Sequence, residues 1–166
     1  MSDDAVIEAR VAQALEGLGA KWELMRIDPD FADTAAFCEK YGVPTDHSGN
    51  TIIVASKKEP KKYCACLVLA TTRLDVNHAV RRLLDVSRVS FATAGETQAL
   101  TGMMIGGVTL LALPPDLPIY VDERIMTLDY LILGGGSRSS KIKIAPEALR
   151  QLPGLSVVPG LAQAMA

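Results

Sequence analysis

Long apolar runs are missing from this sequence: none approaches the ~20 residues that a membrane-spanning helix needs, and a soluble chain is expected. Cysteine is scarce too, with only Cys38, Cys64 and Cys66 present. A small odd number behind an N-terminus without signal-peptide character points to reduced thiols and a cytoplasmic location, not a disulfide framework. Cys64 and Cys66 lie in an apolar segment and read as strand-packing residues, with no further Cys or His beside them to complete a zinc site. A large excess of one charge is likewise absent. The net charge of −2 excludes coating of nucleic acid by bulk charge and leaves room only for a local basic patch.

The common catalytic signatures are also missing. No G-x-S-x-G occurs, no G-x-G-x-x-G opens a helix, and Ser139 and Ser140 have no evident His and Asp partners. The glycine-rich turn 134–136 lacks the Gly-Lys-Ser/Thr ending of a phosphate loop and runs into a strand where a helix is required. Cys, His and carboxylates show no metal-ligand spacing. The sequence asks for neither a metal nor a cofactor.

What is present is ordinary globular composition. With 166 residues, 49% apolar and 22% charged, the chain reads as a single domain, 1–166, able to bury roughly two-thirds of its unfolded surface. Residues 5–18 form a helix with Val6, Ala9, Leu15 and Leu18 near one face, closed by Gly19. Strands are expected at 22–27, 51–55, 63–70, 88–91, 108–113, 118–121, 130–133 and 141–144. Helices are expected from 33 or 34 to 41, at 75–84, from the capping box Thr93-x-x-Glu96 to about Leu100, and at 145–152. His47, in the polar loop 43–50, and His78 read as solvated residues. Short strands joined by hairpins and interrupted by helices give an α+β class, around a mixed, largely antiparallel twisted sheet.

One stretch stands out, Thr101-Gly-Met-Met-Ile-Gly-Gly-Val-Thr109. Three glycines between two threonines read either as a turn whose N–H groups face a ligand or as a helix C-cap at Gly102 followed by a tight turn. The Lys57-Lys58-Glu59-Pro60-Lys61-Lys62 loop is a solvated hairpin by composition. Its lysines, with Arg81 and Arg82, are also the best candidates for phosphate contacts.

Taken as a set, Asn50-Thr-Ile-Ile-Val54, Thr101-Gly-x-x-x-Gly-Gly-Val-Thr109, Ile119-Tyr-Val-Asp122 and Leu133-Gly-Gly-Gly136 with Lys141-Ile142 resemble the YbaK/prolyl-tRNA editing family over roughly residues 20–160. The resemblance implies a sheet closing on itself with flanking helices, and hydrolysis of the ester of mischarged aminoacyl-tRNA. It implies mischarged tRNA as partner, with a synthetase as a second one, no membrane, and a monomer or homodimer. Backbone N–H groups of Gly102, Gly106 and Gly107 would stabilise the ester carbonyl. Thr51, Thr101, Ile105, Thr109, Asp122, Gly135 and Gly136 would line the substrate pocket, and Lys57, Lys58, Lys61, Lys62, Arg81 and Arg82 would meet the tRNA.

In two places the sequence departs from that family. Asn50 stands where the characteristic lysine begins its strand, so the charge expected there is replaced by an amide. Leu110-Leu111-Ala112 replaces a Pro-x-Gly. The departures leave a second reading beside the deacylase: a non-catalytic module that binds tRNA, an aminoacyl group or a synthetase.

Overall fold

The structure, a computed structural model, describes residues 3–165. Helix α1 (Asp3–Glu16) buries Ile7, Val11 and Leu15, a stripe at four-residue spacing, and leaves Val6 exposed. The inward face is therefore one residue away from the Val6 face expected. Three more α-helices follow among the described residues: α2 (Thr34–Tyr41), α3 (Arg81–Leu84), which continues a π-helical turn at Val76–Val80, and α4 (Ala94–Thr101).

Among the described residues, ten strands make three sheets. The largest has the order β5 (Val89–Phe91), β2 (Gly49–Ser56), β3 (Tyr63–Leu69), β6 (Ile119–Asp122), β9 (Leu155–Val158). A three-stranded sheet runs β1 (Trp22–Arg26), β8 (Ser140–Ile144), β7 (Leu131–Gly134), and β4 (Thr72–Leu74) pairs with β10 (Ala162–Ala164). All pairs are antiparallel except β3–β6 and β6–β9. The mixed α+β class stands, with the strands divided among three sheets and no single closed ring.

Side-chain alternation decides what the large sheet buries on each face. Ile53, Ala65 and Leu67 join α1 and the three-stranded sheet in the main core, with Leu15, Met103, Leu133 and Ile142. Val54, Cys64 and Cys66 face the other way, onto Val80, Leu84 and Leu161. A third, smaller cluster holds Phe37 and Cys38 of α2 against Ile27, Ala32 and Ile132.

Several expected elements differ from those found. Residues 108–113 are not a strand: Leu110 and Leu111 are buried, Ala112 adopts φ +64, and the Leu111 N–H turns back to Thr109 Oγ1. Their apolar character reflects burial in an irregular segment. Residues 146–151 wind as a 3-10 helix, and β4, β9 and β10 carried no sequence signal strong enough to be expected.

The capping box is present as read, with Thr93 Oγ1 accepting from the Glu96 N–H and Glu96 Oε1 accepting from the Thr93 N–H, each at 3.0 Å. Replacing Thr93 by Ala should cost about 1 kcal/mol and lower Tm by roughly 2–4 °C. Thermal unfolding followed by circular dichroism checks this.

Candidate functional site

The site begins where β5 ends. The last β5 bond on that side of β2 runs from the Ala92 N–H to the Ile53 carbonyl, 2.9 Å; beyond it Thr51 has no strand partner there, until a parallel bridge of Ser48 with Ile132 ties the start of the strand to β7. Alternation fixes what the opening receives. Ser48 and Ser56 use their backbone groups on the β3 side, while Ile53 and Lys57 use theirs on the β5 side. Thr51 shares the parity of the second pair, so its N–H and C=O point to the open side. Its hydroxyl oxygen is also buried without a protein partner.

A cavity of about 420 Å³ occupies this place. Its walls are the β2 edge from Gly49 to Ile53, residues 32–34 leading into α2, Phe91 and Ala92, Thr97 of α4, residues 105, 106 and 108, Gly134, and Lys141 of β8. Phe91 and Ile105 are 57% and 52% exposed, so the rim is apolar. Polar side chains of Thr34, Asn50, Thr51, Thr97 and Lys141 stand among its apolar walls. Asn50 Oδ1 accepts a hydrogen bond from Thr34 Oγ1, which orients the amide with its NH₂ end as the remaining donor.

Lys141 is the side chain that sequence reading did not single out as a site residue. It is 6% exposed, and its Nζ donates to the Ala32 carbonyl at 2.8 Å and the Gly106 carbonyl at 3.4 Å. The Phe37 ring centroid lies 5.2 Å from the same nitrogen. Burial pulls its pKa down from 10.5 to about 8; nearby Asp33 and Cys38 act to raise it and Arg138 to lower it. Alternation puts Lys141 and Lys143 on one face of β8. α2 closes over the first lysine, while Lys143 reaches out over the Tyr130 ring.

Arg138 stitches the rim. Its guanidinium donates to the carbonyls of Ile105 (2.6 Å) and Pro29 (3.0 Å) and lies 3.6 Å from the Asp33 carboxylate. Three chain segments distant in sequence are thereby held around one opening.

Of the residues expected to form the site, Asn50, Thr51, Ile105 and Gly106 line the cavity. The others fall elsewhere, each for a stated reason. Gly102 is the αL cap of α4, and its N–H is taken by the Gln98 carbonyl. The Gly107 N–H is taken by the Met104 carbonyl. Thr101 accepts from the Met103 N–H, and Thr109 is fully buried in the irregular segment. Asp122 caps the 3-10 turn Glu123–Thr127 at the end of β6, where burial raises its pKa. Gly135 and Gly136 face α1 and not the cavity.

The glycines have a different task from presenting N–H groups. A Cβ on Gly107 would lie 2.6 Å from the Ser137 carbonyl carbon, and one on Gly134 would lie 2.4 Å from the Val108 carbonyl oxygen. The Gly136 N–H donates to the Gly107 carbonyl at 2.9 Å. The two glycine segments are pressed backbone to backbone, and that contact builds the wall behind Gly106.

The basic candidates divide as well. Lys57, Lys58, Lys61 and Lys62 are exposed on the β2–β3 hairpin, on the same sheet edge as Phe91. The Lys57 N–H bonds to Arg88, about 10 Å along β5 from Phe91 at 3.3 Å per residue. Lys61 is 4.0 Å from Glu96, and Lys62 Nζ donates to the Leu84 carbonyl. Arg81 and Arg82 are exposed on α3, which packs on the opposite face of the large sheet.

The cavity thus combines fixed hydrogen-bond donors with apolar walls and an apolar rim. The model of the aminoacyl-tRNA editing domain matches residues 28–152. The chain belongs to that family. Solved structures agree with an editing-domain fold. A hypothetical protein aligns over 93% of this chain and 99% of its own at 25% identity, TM-score 0.82. A candidate trans-editing enzyme for prolyl tRNA synthetase aligns over 95% and 97% at 23% identity, TM-score 0.79. A candidate signal-transduction protein from Marinobacter aquaeolei VT8 matches 93% of this chain with only 30% of its own length, at 19% identity and TM-score 0.60. The editing-domain fold therefore also resembles part of a longer chain.

Proposed function

We propose that this editing domain acts in trans as a deacylase, hydrolysing the ester of a mischarged aminoacyl-tRNA, with Asn50 in the place of the family's usual lysine. The cavity along the open edge of β2 carries the reading. Its volume of about 420 Å³ lies within the range of small-ligand sites and admits an aminoacyl group while the tRNA body stays outside. The Thr51 N–H and the Asn50 amide offer hydrogen bonds to the ester. An activated ester needs positioning and charge stabilisation more than a protein nucleophile. The exposed lysines of the 57–62 hairpin, with Arg81 and Arg82, are the candidate contacts for the tRNA backbone.

A panel of purified mischarged tRNAs tests the reading. At least one ester should disappear faster than its spontaneous hydrolysis when the protein is added. If none does, and Asn50→Lys turns over none either, the deacylase reading fails. Retention of tRNA or of an aminoacyl analogue by that inactive protein would then identify a binding module.

A further inference from the structure

We propose that Lys141 is a catalytic residue, whose Nζ donates a hydrogen bond to the ester carbonyl oxygen and holds the oxyanion that forms from it. The inference rests on the deacylase reading and deepens it. Lys141 is the single cation among the side chains that line the cavity, and among the described residues no carboxylate oxygen lies within 4.0 Å of its Nζ. An ammonium has three donors. Two are spent on the Ala32 and Gly106 carbonyls, which hold the group in place, and the third remains for a ligand.

Burying a charge whose direct partners are two neutral carbonyls and the face of the Phe37 ring is costly. A clamp between two loops would need neutral donors only, so the charge itself asks for a use. Asn50 and Lys141 come from different strands and line the same cavity. The charge that Asn50 lacks is thus supplied from β8.

In the step envisaged, water adds to the ester carbonyl carbon and the carbonyl π pair moves onto oxygen, where it meets Lys141. Collapse of the tetrahedral intermediate breaks the bond to the ribose oxygen. That oxygen takes up the proton lost by the water, which leaves a free amino acid and uncharged tRNA. Lys141 stays protonated throughout.

The test compares wild type with Lys141→Met and Lys141→Gln on an ester that wild type hydrolyses. Glutamine retains neutral N–H donors for the two carbonyls and removes only the charge. Both variants should lose about 10²–10³-fold in kcat with KM changed by less than about threefold, since the hydrogen bond strengthens as negative charge develops. Wild-type kcat should fall as pH rises through about 8, where the amine loses its proton, and the variants should lack that limb. Asp33, Cys38 and Arg138 are the charged or titratable groups around Lys141. Persistence of the fall in Asp33→Asn and Cys38→Ser assigns it to the lysine.

Unchanged kcat in Lys141→Gln, or a wild-type rate that does not fall with pH, overturns the inference while leaving the deacylase reading in place. If wild type hydrolyses no ester at all, the inference is overturned, and the deacylase reading falls with it when Asn50→Lys is inactive too.

Discussion

Gly134→Ala should lower the melting temperature by about 10 °C. The added Cβ would sit 2.4 Å from the Val108 carbonyl oxygen and 3.1 Å from its carbon, and both are backbone atoms that no rotamer change can move. Overpacking of a tight site costs about 1–3 kcal/mol, and a contact this short against backbone belongs at the upper end. At roughly 2–4 °C per kcal/mol for a chain of this size, the shift follows. Gly107→Ala should behave alike, since its Cβ would meet Ser137 backbone at 2.6 Å. Gly95→Ala is the control: its nearest neighbour is Thr93 Oγ1 at 3.9 Å, and α4 should gain a few tenths of a kcal/mol from the better helix former. Equal melting temperatures for Gly134→Ala and Gly95→Ala would show that the two glycine segments do not touch as described.

Stability should rise by about 3 kcal/mol between pH 8 and pH 10.5 on account of Lys141 alone. The sign follows from proton counting. The folded lysine titrates near 8 and the unfolded one near 10.5, so within that window the unfolded chain binds the extra proton. Raising pH through the window therefore penalises unfolding more and more, and below about 8 this contribution is flat. Tyrosines and cysteines titrate in the same alkaline range, so the observable is a difference: urea midpoints of wild type minus those of Lys141→Met, followed across pH. A difference that does not change from pH 7.5 to 10 would mean that the amine is not buried in the folded state.

The parts of the fold that were legible in the sequence are those specified locally. The Thr93–Glu96 box, Gly42 and Gly102 as left-handed caps, and the two long apolar strands β2 and β3 each follow from a few adjacent residues. Residues 108–113 misled because burial on all sides produces the same apolar run in a strand and in an irregular segment. The short strands β9 and β10 form by pairing with β6 and β4, partners far away in sequence, and local pattern carries no trace of that.

The site divides in the same manner. Asn50, Thr51 and Gly106 could be named because a family pattern marks them. Lys141 stands in the same pattern but does not read as a site residue, because its burial depends on Ala32, Phe37 and Gly106 arriving from other places. The family pattern also overextended the site: it grouped Asp122 and Gly102 with the cavity, whereas each satisfies a local capping need.

The open edge of β2 has a meaning apart from chemistry. An unpaired strand edge is a template on which a second chain can add a strand, and proteins protect such edges by covering or interrupting them. Here the unpaired stretch, Asn50 to Ile52, is about 10 Å long, stopped at one end by Ala92 and at the other by the Ser48–Ile132 bridge, and overhung by the 32–34 and 105–108 segments. It is too short and too enclosed to accept an intruding strand. The enclosure that makes room for a small ligand also shields this part of the edge from a second chain.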